Sequence, residues 1–304
     1  MKKTAVLGST GMAGHLISRY LENTGFDIYR ISRSEQNSSH ARGIDVTDIH
    51  QLSDYMNEIR PDVVVNCVGL LQKTCEARPD LAAYVNAFFP HYLENQFKDT
   101  AVKVIHLSTD CVFSGQRGGY LVNDLPDGRT FYDRSKALGE LNNEKDLTFR
   151  MSIIGPDIDP KGTGLLNWFM KQNGTIHGFS NVRWNGITTL ELAKAIACAI
   201  EQDLCGLYQL VPEQEITKYH LLKLIQSVFQ KDNVEILEDT AVISDKTLIN
   251  QRTDFRYHVN DYPVQLAQMK EWIEQNKCLY PEYYFTLKNR CIHGTTNNNT
   301  TLHQ

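Results

Sequence analysis

Three glycines three residues apart, in Gly8-Ser9-Thr10-Gly11-Met12-Ala13-Gly14, come directly after a short apolar run at residues 4–7 and open a helically spaced segment at residues 12–21. This placement constrains the chain more than any other feature. Glycine permits a tight strand-to-helix turn and lets the backbone approach a pyrophosphate, while the unpaired N–H groups at the helix start face the anion. The spacing is G-x-x-G-x-x-G, not the commoner G-x-G-x-x-G. A glycine-rich turn without a ligand is the bland alternative; the position and flanks of the triplet, and the second strand at residues 27–31, argue against it.

Strand and helix signals then alternate: a helix at 49–59, an apolar strand at 63–65, a helix at 81–97, a strand at 103–107, a helix at 135–141 and a strand at 147–150. Such alternation predicts a doubly wound α/β fold, a parallel sheet covered on both faces with ligands beyond the carboxyl ends of its strands. Residues 1–150 are assigned to this dinucleotide-binding domain, to which helices and strands of the C-terminal half could return. Residues 151–285 are assigned to a smaller C-terminal α/β substrate-binding region. There helices are expected at 165–172, 190–201, 219–229 and 264–276, with a strand at 206–210. Thr188 and Glu191 have capping-box spacing, and Trp168 is expected to pack inside this region. The polar stretch 286–304 reads as a disordered tail.

Composition bounds the partners. The net charge of −5 over 304 residues, with no long basic run, makes nucleic acid an unsuitable partner. No apolar stretch reaches the roughly 20 residues a membrane helix needs, and the Met1-Lys2-Lys3-Thr4 start is a poor secretory signal. Seven scattered cysteines without a C-x-x-C pair suggest neither a disulfide framework nor a metal site. A reducing, cytoplasmic location is the expectation.

The second strand ends Ile31-Ser32-Arg33-Ser34. A carboxylate there would grip the ribose hydroxyls of NAD; Arg33 and its serines instead suit a 2′-phosphate. NADPH is the expected cofactor, with NADH as the alternative, and a solvated surface side chain is the other reading of Arg33. The loop set is Gly8, Thr10, Gly11, Met12 and Gly14. Asp45 and Val46 could hold the amino group and face of adenine, or Asp45 could be an ordinary turn residue. Asn66, Val68 and Gly69 end the third apolar run, along the nicotinamide side of the cleft. Asn86 is either a buried polar brace or a surface residue of its helix.

The chemistry-bearing residues are Ser108-Thr109-Asp110 at a strand end, then Tyr132-Asp133-Arg134-Ser135-Lys136. Tyrosine and lysine at i and i+4 share a helix face. A neighbouring ammonium is expected to lower the phenol pKa from near 10, so that Tyr132 can give a proton to a carbonyl oxygen as hydride arrives at carbon. A hydroxyl from Thr109 would orient the same oxygen.

The segments GSTGMAG, STDCVFSG, YDRSKALGE, FRMSIIGP and NGITTLELAKAI resemble the extended short-chain dehydrogenase/reductases, and within them the dTDP-4-dehydrorhamnose reductase group. The resemblance spans most of residues 1–200 and weakens toward residue 284. It implies a Rossmann-type domain, a nicotinamide cofactor that Tyr132 and Lys136 also touch, the catalytic set Thr109, Tyr132 and Lys136, and a nucleotide-sugar substrate. Asp110, Cys111, Val112, Arg150, Trp184 and Asn185 are the candidate substrate residues. The expected activity is reduction of a 4-keto-6-deoxy nucleotide sugar for a surface polysaccharide. Two alternatives stay open: a 3,5-epimerase/4-reductase with Cys111 as base and His177 as the candidate histidine across the sugar, and a non-catalytic NADP-binding regulatory subunit. Cys111 stands where related 4,6-dehydratases carry Glu after Asp, which disfavours dehydration. Met151 replaces a frequent Thr. His15 stands where a metal-bridging relative would carry a carboxylate, so no metal is expected. A homodimer is left open.

Overall fold

The computed structural model describes residues 1–283; the expected tail lies outside the described residues. In chain order the N-terminal part forms β1 (Lys3–Leu7), α1 (Gly14–Asn23), β2 (Asp27–Ser32), β3 (Ala41–Gly43), α2 (Ile49–Ile59), β4 (Val63–Asn66), α3 (Gln72–Ala77), α4 (Pro79–Ala82), a π-helical turn (Ala83–Phe88), α5 (Phe89–Gln96), β5 (Lys103–Thr109), α6 (Phe131–Leu138) and β6 (Leu147–Met151). The remainder forms β7 (Ile153–Ile154), α7 (Leu165–Met170), β8 (Gly174–Phe179), β9 (Val182–Trp184), β10 (Ile187–Thr188), α8 (Thr189–Glu201), β11 (Gly206–Gln209), β12 (Ile216–Thr217), α9 (Lys218–Phe229), β13 (Val234–Asp239), β14 (Ser244–Asp245) and α10 (Tyr262–Gln275).

Seven strands make one sheet in the order β11-β6-β5-β4-β1-β2-β3, every pair parallel. The winding reverses between β1 and β4, and β11 joins from the C-terminal half. The apolar runs are continuous because both faces are covered. Successive side chains go to opposite sides: Val63 and Val65 join one core cluster and Val64 the other, as do Val6 against Ala5 and Leu7. The first cluster also takes in Ile176, Leu221 and Phe229. The C-terminal segments are thus packed on the same core as α1 rather than standing apart. Their small sheets pair β7 with β10, β8 with β13, and β9 with β12 and β14. No helix among the described residues is long and apolar enough to cross a membrane.

Four local expectations are corrected. The helix expected at 135–141 begins earlier, at Phe131, because Thr130 and Asp133 form a reciprocal capping box: Asp133 N donates to Thr130 Oγ1 at 3.1 Å and Thr130 N to Asp133 Oδ2 at 3.0 Å. The helix expected at 81–97 widens into the π turn in its middle. Pro90 has no N–H for the Asn86 carbonyl four residues back, and its ring would crowd that carbonyl; a wider turn relieves both. Gly139 fits against the displaced carbonyl, where a Cβ would lie 2.0 Å from Asn86 O. At α8 only half of the capping box forms. Thr188 Oγ1 accepts from Glu191 N at 3.1 Å, but the Glu191 carboxylate goes to Tyr257 and Asn260, and Thr188 N donates to Gln265. Trp168 is 39% exposed and does not pack in the core.

Candidate active site

The glycine loop joins β1 to α1 at the point where the winding reverses. Gly8 has φ +75°, a conformation that L side chains rarely adopt, and its N–H donates to Ile31 O at 2.8 Å. Gly14 serves a different need: a Cβ there would sit 2.1 Å from Gly8 O, so the helix can close onto the loop only with glycine. No side chain caps α1, and its first turn carries no acid, which leaves its positive end to an anion. Thr10 Oγ1 bonds Ser32 Oγ and Ser34 Oγ, each at 3.0 Å.

A cavity of about 560 Å³ opens beside this loop. Gly8, Thr10, Gly11, Arg33, Asp45, Val46, Val68 and Gly69 all line it. Arg33 is exposed, and no hydrogen bond or ion pair with another described residue holds its guanidinium. Asp45 is a turn residue that also lines the cavity. Its Oδ1 accepts from Thr47 N and Oγ1, which holds the carboxyl below its usual pKa despite partial burial, with Arg33 adding a smaller pull. Met12, Gly14 and Asn66 are not among the lining residues. Asn66 is fully buried at the end of β4. Sequence reasoning missed Arg78 and Leu81 on the wall, and Glu35, whose carboxylate accepts from Ser9 Oγ at 2.8 Å.

The catalytic candidates stand at the carboxyl end of β5. Thr109 Oγ1 accepts from Cys111 N at 3.1 Å and donates to Asp110 Oδ1 at 3.2 Å. Thr109 lies beside the Tyr132 phenol and pulls its pKa down, yet that pKa is raised: burial dominates, and Cys111 and Asp110 add to it. The expected lowering by Lys136 is absent because the ammonium points elsewhere. Lys136 Nζ donates to Leu107 O at 2.7 Å and lies 3.2 Å from His106 Nε2. Burial brings its pKa down to about 8, against a pull upward from Glu140. Asn86 is the brace and not a surface residue. Leu70 N donates to its Oδ1, and its Nδ2 donates to Leu70 O and to Ser135 Oγ, tying the loop after β4 to α6.

The substrate-side expectations divide. Asp110 and Cys111 sit beside Tyr132 in a 3-10 turn, Asp110–Val112. Burial pushes the Asp110 carboxyl up and the Cys111 thiol up to about 11. Two lysines that the sequence did not single out, Lys218 and Lys246, pull the Asp110 pKa back down, and Lys218 lies 4.3 Å over the Trp184 ring. Val112 is not placed for a ligand, being fully buried with Phe113 and Tyr120. Arg150 is spent on the fold. Its Nε and Nη2 donate to Glu140 at 2.8 and 2.6 Å and its Nη1 to Val122 O at 3.2 Å. Asn185 is spent likewise, since its Nδ2 donates to Leu248 O and its Oδ1 accepts from Leu248 N. Trp184 is buried against Tyr262. His177 is exposed and is not among the groups acting on Cys111. His15 donates from Nδ1 to Gly11 O and accepts at Nε2 from Tyr280 Oη.

The sequence model of the RmlD substrate binding domain family matches residues 1–246. The chain belongs to that family. It is 32% identical over 157 residues to the probable low-salt glycan biosynthesis reductase Agl14 of Haloferax volcanii, covering 49% of this chain and 52% of that one. It is 32% identical over 137 residues to dTDP-4-dehydrorhamnose reductase of Streptomyces griseus, covering 44% and 42%. The chain thus spans about half the length of the curated relatives it matches. Among solved structures, dTDP-4-dehydrorhamnose reductase from Bacillus anthracis in complex with NADP superimposes with a TM-score of 0.76 over 89% of this chain and 99% of that chain, at 20% identity. The extended short-chain dehydrogenase/reductase fold read from the RmlD-type motifs is the fold observed.

Proposed function

We propose that this protein is an NADPH-dependent reductase of a 4-keto-6-deoxy nucleotide sugar that supplies deoxysugars to a surface polysaccharide. The observation that carries the reading is the meeting of Thr109 and Tyr132 at the open end of β5, next to the cavity lined by Gly8, Gly11 and Arg33. The cavity suits a dinucleotide on its own evidence: Gly8 on its wall has φ +75° and a Cβ there would meet the Cys67 backbone at 3.1 Å, and Arg33 is uncommitted. Gly8, Gly11 and the start of α1 would hold the pyrophosphate, Arg33 the 2′-phosphate, and Val68 and Gly69 would flank the nicotinamide, with the buried Asn66 behind them. NADPH, when bound, supplies the hydride.

The chain's own residues handle the oxygen. Tyr132, kept protonated by burial, donates from Oη to the carbonyl oxygen as it gains charge, and Thr109 Oγ1 orients that oxygen. Lys136 lies under the tyrosine on the same helix. A thiol pushed up to about 11 is protonated at neutral pH, which weighs against Cys111 as an epimerising base. A regulatory subunit would have no use for the Thr109, Tyr132 and Lys136 set. The relatives named as reductases support the same choice.

The test is NADPH oxidation across dTDP-, UDP- and GDP-linked 4-keto sugars, with Tyr132→Phe beside the unaltered protein. Turnover of at least one substrate and a loss of roughly 10²–10⁴ in the variant are expected. Inactivity on the whole panel, or near-normal turnover by Tyr132→Phe, would overturn the proposal.

A further inference from the structure

His106 is fully buried in β5, and its two ring nitrogens face two nitrogens: Asn66 Nδ2 at 3.1 Å from Nδ1, and Lys136 Nζ at 3.2 Å from Nε2. The Asn66 amide cannot turn to relieve this. Its Oδ1 accepts from Val68 N at 3.1 Å, so the NH₂ group must face His106. Burial and the lysine keep the ring neutral. A neutral imidazole has one donor and one acceptor.

Two arrangements follow. With Lys136 charged, the ammonium donates to Nε2 and the ring proton sits on Nδ1, against the Asn66 NH₂, two donors facing each other. With Lys136 neutral, the ring proton sits on Nε2 and donates to the Nζ lone pair, while Nδ1 accepts from Asn66. Only the second satisfies every contact, and a buried donor left unmet is destabilising.

We propose that Asn66 and His106 form a positioning relay in which the tautomer of His106 is tied to the charge of Lys136 and favours the neutral lysine. The functional weight of this relay rests on the reading of Lys136 as a member of the reductase set. Other groups around the pair do not supply such a switch. Glu140 faces Lys136 but is held by Arg150 and by Ser108 Oγ. The Cys67 thiol is pushed up to about 12 and is neutral, and Cys75 donates to Leu70 O. His91, which also acts on His106, is committed to Glu94 and Leu138 O. Burial lowers the lysine's proton affinity to put its titration near 8, where a tautomer change is readily followed.

The test reads the His106 tautomer by long-range ¹H–¹⁵N correlation on histidine-labelled protein without substrate. The resonance is assigned by its loss in His106→Gln and, independently, by its response in Lys136→Met. His15, held as Nδ1–H by Gly11 O, is the internal reference. In the unaltered protein the ring proton should move from Nδ1 to Nε2 as pH rises through about 8. In Lys136→Met the ring should be Nε2–H throughout. In Asn66→Asp a carboxylate accepts from Nδ1–H, so the ring should stay Nδ1–H well into the alkaline range. The alkaline limb of the hydride-transfer profile should then rise by about one pH unit. A ring that keeps one tautomer through the lysine's titration in the unaltered protein, or that still switches in Asn66→Asp, would overturn the relay. Because the tautomer is read without substrate, a switching ring in a protein inactive on keto sugars would sink the reductase reading alone.

Discussion

The assignment of Arg150 to the fold rather than to the substrate has a measurable consequence. Its side chain is 2% exposed, and that of its partner Glu140 is 8% exposed. Two charge-assisted bonds of 2.8 and 2.6 Å join them, and Ser108 Oγ adds a third to the same carboxylate at 2.6 Å. Glu140→Ala would leave the guanidinium in the core with only Val122 O and the face of Phe113, 5.0 Å away. Removing one partner of a buried pair costs about 3–5 kcal/mol, because the remaining charge is uncompensated. That is a large share of the roughly 5–15 kcal/mol by which a folded chain is stable. Arg150→Met strands the carboxylate and should cost a similar amount. The double variant Glu140→Leu with Arg150→Met removes both charges and should cost less than the sum of the two single changes by 2 kcal/mol or more, as about half of a broken pair's penalty is recovered. The assay is urea unfolding of all four proteins, followed by tryptophan fluorescence, with KM for the sugar nucleotide measured on each. Single variants that lose under about 1 kcal/mol while KM rises tenfold would refute the reasoning and return Arg150 to the substrate.

Two further outcomes are expected. Arg33→Ala should erode a preference for NADPH over NADH while leaving NADH affinity nearly unchanged, read by fluorescence titration of both cofactors; equal affinities in the unaltered protein would remove the case for Arg33. Cys111→Ser should retain reductase turnover, and product formed in deuterated water should carry no label at C3 or C5. Label there that is lost in the variant, after subtraction of an enzyme-free control, would favour the epimerase alternative.

What was legible in the sequence follows a physical pattern. The parallel sheet could be read because short apolar runs at 5–7, 63–65 and 104–105 alternate with helical segments, and the loop because Gly8 and Gly14 are demanded by backbone geometry. Tyr132 and Lys136 could be read because their spacing is local. The π turn was not legible as such, although Pro90 marked where an ordinary helix would lose a bond. The start of α6 was available in Thr130 and Asp133, a box closed by Asp where Glu or Gln is usual. His106, Lys218 and Lys246 escaped notice because partners far apart in sequence give them their setting. Arg150 and Asn185 misled for the same reason: a polar residue near the site looks like a ligand contact until its buried partners are known.

The direction of α6 explains how one helix gives its two polar residues opposite environments. Tyr132, near the start, lies beside Thr109 at the carboxyl end of β5, while Lys136, one turn on, lies beside Leu107 O. The helix therefore runs back along the strand, from the open end of the sheet toward its interior. Four residues of helix rise about 6 Å, enough to carry the lysine under the edge of the sheet while the tyrosine stays at the rim. On β5, His106 and Ser108 lie on one face by the two-residue period of a strand. That face meets Lys136 and, after the turn at Gly139, Glu140. The ammonium thus receives a carbonyl and an imidazole but no direct carboxylate bond, because Glu140 is drawn off to Arg150. A lysine placed in this way is free to lose its proton near neutrality, whereas one paired directly with Glu140 would hold its charge. The same arrangement that buries Arg150 against Glu140 therefore leaves Lys136 titratable, and disrupting that pair should alter the pH dependence of the site as well as the stability of the fold.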